Sequence, residues 1–152
     1  MSEQISLKRV DSNDVDFQTL VGLLDKDLNE RYEESMAFFS QFNHLSPSYK
    51  AIVAYLQDEP VGCGAIKYYD EEKHELKRMF VKQEARNHGL GFKIVAELVQ
   101  WAKEMGVMTI ILETGIKQPE AIHLYRKCGF SIIPNFDQYI GVEESVCMQK
   151  QL

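Results

Sequence analysis

The segment Arg86-Asn87-His88-Gly89-Leu90-Gly91 decides how this sequence folds, because it joins a strand-like run to a helix-like run. Before it, residues 75–81 read Glu-Leu-Lys-Arg-Met-Phe-Val, a short apolar-rich stretch that is typical of a β-strand. After it, apolar residues recur at spacings of three and four, which is typical of one helix face: Leu90, Ile94, Val95, Leu98, Ala102 and Met105. The sequence therefore predicts a strand, a glycine-containing loop and a helix N-terminus in direct succession.

This succession favours an anion-binding site at the loop. The first amides of a helix have no intrahelical acceptor, and the helix macrodipole places partial positive charge at the same end. Gly89 and Gly91 lack the side chains that would hold a phosphate away from those amides, and Arg86 adds a fixed cation. We therefore expect a phosphorylated ligand to bind here.

The composition is that of one globular domain. The chain has 152 residues, of which 45% are hydrophobic and 26% charged, enough for a proper core. We therefore expect residues 1–152 to form a single domain. The net charge of −6 argues against nonspecific binding of nucleic acid.

The cysteines and the apolar runs predict a cytoplasmic protein. Cys63, Cys128 and Cys147 are odd in number and widely spaced, which favours free thiols in a reducing compartment over disulfides or a metal site. No apolar run approaches the roughly 20 residues that span a bilayer. The first residues lack the basic and apolar regions of a signal peptide. We expect no membrane partner.

Hydrophobic periodicity and turn residues predict a mixed α/β domain built round one sheet. Strands are expected at residues 5–10, 51–56, 61–69, 75–81, 109–112, 130–133 and 144–148. Helices are expected after the capping residues 12–14, over residues 36–39, 89–105 and 118–129, with a loop at residues 43–48.

Three kinds of phosphate site use glycine-rich loops of this type. A Walker A loop ends in Gly-Lys followed by Ser or Thr, and no segment of the sequence matches it. A dinucleotide-binding loop needs a third glycine three residues after Gly91, where the sequence has Ile94. The remaining pattern, Gln/Arg-x-x-Gly-x-Gly/Ala, is matched at every specified position by residues 86–91.

This last pattern is the acyl-CoA loop of the GNAT acetyltransferases, and the chain resembles that family from about residue 51 to residue 130. Residues 75–81 resemble the family's central strand. Residues 121–130, Ala-Ile-His-Leu-Tyr-Arg-Lys-Cys-Gly-Phe, resemble its later helix with the ending Leu-Tyr-x-x-x-Gly-Phe. Two motifs in the right order and at about the right distance are far more specific than either alone.

The resemblance implies a single-domain GNAT-type acyl-CoA N-acyltransferase fold, with a mixed central β-sheet flanked by helices. It implies acetyl-CoA as the co-substrate and no metal. The central strand is expected to pair through its backbone with the pantetheine arm, at Met79, Phe80 and Val81. The loop is expected to hold the pyrophosphate, through its amides, at Arg86, Asn87, His88, Gly89, Leu90, Gly91 and Phe92.

Three further positions follow from the resemblance. Lys93 is either a phosphate contact or a solvated helix lysine. The family often has asparagine three residues before the alanine of the second motif, where its amide contacts the pantetheine or the backbone. This chain has Gln118 before Ala121, so the amide is kept on a longer side chain.

Acetyl transfer from a thioester to an amine needs a base, an oxyanion donor and an acid for the leaving thiolate. Glu75 is the candidate base. With unbroken strand alternation its side chain shares a face with Lys77, Met79 and Val81, and a bulge would upset that parity. The alternative is a strand-end glutamate paired with Lys77 or another cation.

Tyr125 is the candidate acid, because the family pattern places its hydroxyl near the coenzyme sulfur. A phenol with a pKa of about 10 is a suitable donor to a thiolate. The alternative is a core aromatic residue, since Ile122 and Leu124 lie beside it.

The family builds its acceptor pocket from the first two helices and the last hairpin. Those segments here carry polar residues that fit a cationic amine or, through Arg31, a carboxylate: Asp25, Asp27, Asn29, Glu30, Arg31, Tyr32, Glu33, Glu34, Asn135, Asp137, Gln138 and Tyr139. We expect an N-acetyltransferase that acts on a primary amine of a small molecule by direct attack in a ternary complex, as a monomer or homodimer. The alternatives are an acyl-CoA sensing module without turnover, a protein N-acetyltransferase and a nucleotide-binding domain.

Overall fold

The computed structural model describes residues 4–31 and 49–152. Its strands and helices follow the predicted order. They are β1 (Ile5–Asp11), α1 (Val15–Arg31), β2 (Lys50–Leu56), β3 (Glu59–Tyr68), β4 (Lys73–Val81), α2 (Leu90–Glu104), β5 (Thr109–Gly115), α3 (Pro119–Lys127), β6 (Ser131–Ile133) and β7 (Ser145–Gln151). The short helix predicted at residues 36–39 and the loop at residues 43–48 lie outside the described residues.

The strands form one mixed sheet in the order β1-β2-β3-β4-β5-β7-β6. Neighbours are antiparallel except β4 and β5, which run parallel. Residues 73–76 of β4 pair with residues 109–112 of β5, and the ladder ends there although both strands continue. The later parts of β4 and β5 therefore diverge and leave a gap in the middle of the sheet.

Helices cover both faces of the sheet. The core beneath α2 and α3 includes Ile94, Leu98 and Tyr125. The core on the other face lies beneath α1 and includes Phe17 and Leu20. Each side chain of β4 can therefore be assigned to a face by the core into which it packs.

A β-bulge interrupts β4. Cys63 of β3 pairs with Phe80 and Ala65 pairs with Lys77, so two residues of β4 lie opposite the single residue Gly64. The extra residue is Arg78, whose φ of 61° is a left-handed conformation that non-glycine residues rarely adopt.

The bulge reverses the alternation of side chains in the second half of β4. Met79 and Val81 pack into the α2 core, whereas Phe80 packs into the α1 core. Arg78 bonds to Asp25 of α1 and so points to the α1 face. The prediction that Glu75 shares a face with Met79 and Val81 is therefore wrong, because it assumed regular alternation. Glu75 and Lys77 share the α1 face with Arg78 and Phe80, since Leu76 between them packs into the α2 core.

Among the described helices, none combines the length and the apolar character that a membrane crossing needs.

Gly64 allows α2 to pack closely on the strand opposite the bulge. A Cβ built at Gly64 would lie 2.4 Å from Met79 Sδ and 2.8 Å from Ile94 Cγ2. Ile94 is fully buried and has little room to move. Contact this close is available only to a residue without a side chain.

Gly64→Ala is expected to lower the free energy of unfolding by roughly 1–3 kcal/mol, because the added methyl overpacks the core. The matched control is Gly22→Ala on α1, where a Cβ would meet nothing within 4 Å. That variant is expected to gain about 0.5–1 kcal/mol from helix propensity. Urea unfolding of both proteins measures the difference, and equal stabilities would contradict the packing argument.

Candidate active site

The gap between β4 and β5 opens into a cavity of about 100 Å³. It is lined from both faces of the sheet by Leu24, Leu28, Glu75, Leu76, Lys77, Arg78, Met79, Glu113, Thr114, Gly115, Gln118, Tyr125 and Tyr139. Glu75, Lys77 and Arg78 enter it from the α1 face, and Met79 and Tyr125 enter from the face of α2 and α3. The cavity therefore connects the two faces through the sheet.

Glu75 and Lys77 form a largely buried pair in the cavity. Lys77 Nζ lies 3.9 Å from Glu75 Oε2, and the side chains are 9% and 13% exposed respectively. Burial raises the pKa of Glu75, and the nearby Lys77 and Lys67 only partly oppose this. Burial likewise lowers the pKa of Lys77 against the attraction of Glu75. The carboxylate is therefore more basic than a surface glutamate, which suits a proton acceptor near neutral pH.

Glu113 is a second buried carboxyl group in the cavity. It lies on β5, where its Oε2 accepts a hydrogen bond of 2.7 Å from Ser145 Oγ. Burial raises its pKa to about 7, against the opposing effects of Ser145 and Lys77. Glu113 therefore changes its charge close to neutral pH.

Arg78 is the most deeply buried cation of the cavity. Its side chain is 3% exposed, and Nη1 lies 3.1 Å from Asp25 Oδ1. The Asp25 side chain is 48% exposed. Within the described residues, Arg78 Nε is buried without a hydrogen-bond partner.

Tyr125 reaches the cavity from α3. It is 6% exposed and its ring lies against Phe130, with centroids 5.9 Å apart. Burial raises the pKa of Tyr125 above its ordinary value, so the hydroxyl holds its proton at neutral pH. Tyr125 is thus a core residue by packing, as the alternative interpretation held, and it also lines the cavity.

The glycine loop lies at the N-terminus of α2, as the sequence predicts. Gly89 has a φ of 73° and is the N-cap, without a side-chain cap. The first intrahelical bond runs from Lys93 N to Gly89 O, so the amides of Leu90, Gly91 and Phe92 precede the hydrogen-bonded helix. These amides are suited to an anion.

The two glycines of the loop serve different purposes. Gly89 provides the left-handed turn, and a Cβ there would meet nothing within 4 Å. At Gly91 a Cβ would lie 3.0 Å from Leu124 Cδ2. The missing side chain of Gly91 therefore permits α2 to pack against α3, which the sequence did not indicate.

The Arg86 side chain is hydrogen-bonded to the end of β4. Its Nε donates a hydrogen bond of 3.0 Å to the Val81 carbonyl oxygen. The guanidinium is thereby held between the end of β4 and the start of α2. Of the other loop residues, Asn87, Phe92 and Lys93 are exposed and His88 is half-buried.

Gln118 and Ala121 lie at the start of α3. Gln118 Oε1 accepts a hydrogen bond of 3.2 Å from the Gly115 amide, and Gln118 also lines the cavity. Ala121 packs against the α2 core. The cavity thus contains Glu75, Met79, Gln118 and Tyr125, whereas the predicted loop residues lie outside its lining.

The predicted acceptor residues are partly used in structural contacts. Asn135 Nδ2 donates to the carbonyl oxygens of Tyr139, Val142 and Ser145, and Asp137 accepts from the Tyr69 hydroxyl. Tyr139 lines the cavity. On α1, Asn29 and Glu30 are exposed and Asp27 is half-buried. The Arg31 side chain and residues 32–34 lie outside what the structure describes.

Among the polar residues of the lining, sequence reasoning gave no site role to Arg78, Glu113 or Thr114, and it treated Lys77 only as a partner of Glu75. Glu113 had a signal, because an acidic residue follows directly on the buried run of residues 109–112. Arg78 had none, because in regular alternation it would share a face with Leu76.

The cysteines are free thiols, as expected. Cys63 is fully buried and its thiol donates to the Arg78 carbonyl oxygen at 3.3 Å. Burial raises the pKa of Cys63 to about 12, so it remains a neutral thiol. Cys147 is buried as well, and burial raises its pKa to about 11.

Comparison with known proteins identifies the class. Residues 17–130 match the profile of the acetyltransferase (GNAT) family. An IAA acetyltransferase from Azospirillum brasilense is 33% identical over 135 residues, covering 88% of each protein. A crystal structure from Klebsiella pneumoniae subsp. pneumoniae MGH 78578, of a protein assigned as an acyl-CoA N-acyltransferase, is 31% identical with a TM-score of 0.82 and covers 98% of both chains.

A protein from Bacillus anthracis str. Ames, assigned as a streptothricin acetyltransferase, was solved with acetyl coenzyme A. It is 26% identical with a TM-score of 0.62, over 70% of this chain and 64% of that one. The present chain belongs to the acetyltransferase (GNAT) family, and its fold and class are those that the sequence predicts. It is an acyltransferase whose acyl donor is acetyl-CoA.

Glu113→Gln is expected to flatten the pH dependence of stability. A carboxyl group whose pKa is about 7 in the folded protein keeps its proton where the unfolded chain, near its ordinary pKa of 4.5, has lost it. Folding stability therefore falls as pH rises from about 4.5 to 7, by up to roughly 1.4 kcal/mol per pH unit. Glutamine still accepts the Ser145 bond but does not titrate.

Urea unfolding at pH 5 and pH 7 measures this effect. The control is Glu71→Gln, an exposed glutamate outside the cavity. If Glu113→Gln loses as much stability between the two pH values as Glu71→Gln does, Glu113 is not the buried titrating group.

Proposed function

We propose that the protein transfers an acetyl group from acetyl-CoA to a primary amine of a small molecule by direct attack in a ternary complex. The observation that carries this proposal is the cavity through the sheet, with Glu75 on one side and Tyr125 on the other. Such a passage lets an amine and a thioester meet from opposite faces. We also propose that residues 1–152 act as one domain.

The donor side of the site is formed by β4, the loop and α3. The diverging end of β4 leaves the backbone at Met79, Phe80 and Val81 unpaired with β5, which suits an added strand-like pantetheine arm. The free amides at the start of α2 suit the pyrophosphate. Arg86 and Lys93 add positive charge at this end, and Gln118 and Ala121 flank the arm.

The acceptor side contains the base. Glu75, with its raised pKa, takes one proton from the acceptor ammonium, which leaves a lone pair on nitrogen. The nitrogen attacks the thioester carbonyl carbon, so that a C–N bond forms and the C–S bond breaks. The proton on Glu75 is released to solvent at the end of the cycle.

Tyr125 completes the reaction at the leaving group. Its neutral hydroxyl gives a proton to the departing thiolate, and the second proton of the attacking amine restores the phenol. The products are the N-acetylated amine and free coenzyme A. No cysteine is used as an acyl carrier, because burial raises the pKa values of all three thiols.

A small acceptor is supported by the size of the cavity and by the name of a relative. The cavity is about 100 Å³, and Leu24 and Leu28 of α1 are among its lining residues. The Azospirillum brasilense relative is named an IAA acetyltransferase.

The proposal is tested by following coenzyme A release from acetyl-CoA with a panel of small amines, amino acids and peptides. Release with small amines and not with peptides is the expected result. Release with peptides alone would favour a protein N-acetyltransferase. Binding of acetyl-CoA without release in any reaction would favour a sensing module and overturn the proposal.

Glu75→Gln is expected to remove the rise of kcat/KM with pH that ionisation of Glu75 produces. The variant should be least active where the acceptor is an ammonium ion and should approach the wild type at alkaline pH, where the amine loses its proton unaided. Glu72→Gln, an exposed glutamate, is the control. A wild-type pH profile in Glu75→Gln would rule out Glu75 as the base.

Tyr125→Phe is expected to lower kcat by roughly 100-fold, because the leaving thiolate loses its proton donor. The Phe side chain keeps the packing against Phe130, so the affinity for coenzyme A should change little. Tyr68→Phe, at an exposed tyrosine, is the control. Steady-state kinetics and calorimetric binding of coenzyme A separate the two effects, and an unchanged kcat would refute the assignment.

A further inference from the structure

Arg78 is an incompletely bonded cation inside the cavity. Its side chain is 3% exposed, yet Nε has no hydrogen-bond partner among the described residues. A buried polar group without a partner is costly, and it is most costly when the group is charged. The unbonded Nε therefore marks a place that a ligand can complete.

The side chains of the described residues neutralise Arg78 only in part. The hydrogen bond to Asp25 joins a single pair of atoms, Nη1 and Oδ1, rather than two. Because the Asp25 side chain is 48% exposed, solvent screens its charge. The Tyr49 hydroxyl also contacts the guanidinium but carries no charge at neutral pH, since burial raises the pKa of Tyr49.

The bulge directs this cation to the acceptor side of the sheet. In regular alternation Arg78 would point with Leu76 into the α2 core. The left-handed backbone at Arg78 instead places its side chain on the α1 face, with Glu75 and Lys77. A guanidinium and a candidate base thus line one cavity on one face.

We propose that Arg78 binds a carboxylate of the acceptor, so that the substrates are amino carboxylic acids with their amine at Glu75. A carboxylate that bonds Nε and an adjacent Nη forms the bidentate pair that guanidinium groups favour. The inference rests on the proposed function and specifies the substrate class of the same site. Arg78, rather than Arg31, is then the clamp for the acid group.

The experiment compares pairs of acceptors that differ only in one group. Each amino acid is paired with its carboxamide, over a series with increasing separation between amine and carboxyl group. Coenzyme A release gives kcat/KM for each. For at least one separation, kcat/KM for the acid is expected to exceed kcat/KM for its amide by at least about tenfold. This factor corresponds to the free energy of one hydrogen bond to a charged group.

Two variants test whether Arg78 causes this preference. Arg78→Gln should abolish it, whereas Arg126→Gln, at an exposed arginine of α3, should retain it. Because Arg78→Gln removes a buried residue and is at risk of misfolding, Asp25→Asn supplies an independent test. It removes the competing carboxylate and should lower KM for acids severalfold relative to KM for the matched amides, while the exposed control Glu59→Gln should leave that ratio unaltered.

The outcomes separate this inference from the proposed function. Equal kcat/KM for acids and amides in the wild type, or an Asp25→Asn variant with unaltered KM for acids, would overturn the carboxylate site and leave the acetyltransferase proposal intact. Absence of coenzyme A release with every acceptor would overturn the proposed function. In that case the carboxylate site is tested without turnover, by calorimetry with coenzyme A present. The affinities of N-acetylated acids and of their amides are compared, and equal affinities would overturn the site.

Discussion

One extra residue in β4, accommodated by the left-handed backbone of Arg78, is the constraint on which the site depends. It moves Met79 and Val81 to the α2 face and turns Arg78 towards α1. Beyond residue 76, β4 no longer pairs with β5, and the sheet opens. Gly64 lies opposite the extra residue and lets α2 stay close to the sheet. The core between α2 and the sheet therefore stays closely packed beside the opening.

The opening brings ionisable side chains together at low solvent exposure. Glu75 and Lys77 each partly offset the effect of burial on the pKa of the other. Ser145 and Lys77 partly offset the effect of burial on the pKa of Glu113. In water these groups would keep their ordinary pKa values. Burial raises the pKa values of Glu75 and Glu113 and lowers that of Lys77, so the neutral form of each group is favoured. A carboxyl group with a raised pKa is a better proton acceptor than a surface glutamate, which is the property that removal of a proton from an ammonium group needs.

The sequence predicted much of this architecture correctly. The order of strands and helices, the loop at the start of α2 and the family were all evident, because periodicity, caps and glycines act locally. Glu113 was missed because the predicted strand ended at residue 112, although the structure extends it to Gly115. The packing role of Gly91 was not predicted because its neighbour, Leu124, is distant in sequence.

The sequence by itself determined which segments become strands and helices and where a glycine loop precedes a helix N-terminus. Only the tertiary structure decided on which face of the sheet each side chain of β4 lies. A bulge is defined by the pairing of two strands, so it gives no periodic signal in the sequence of one strand. Likewise, only the divergence of β4 and β5 placed Glu75 and Tyr125 at one cavity. The sequence shows that Glu75 and Tyr125 are present, but whether they lie at one cavity depends on pairing between strands that are distant in sequence.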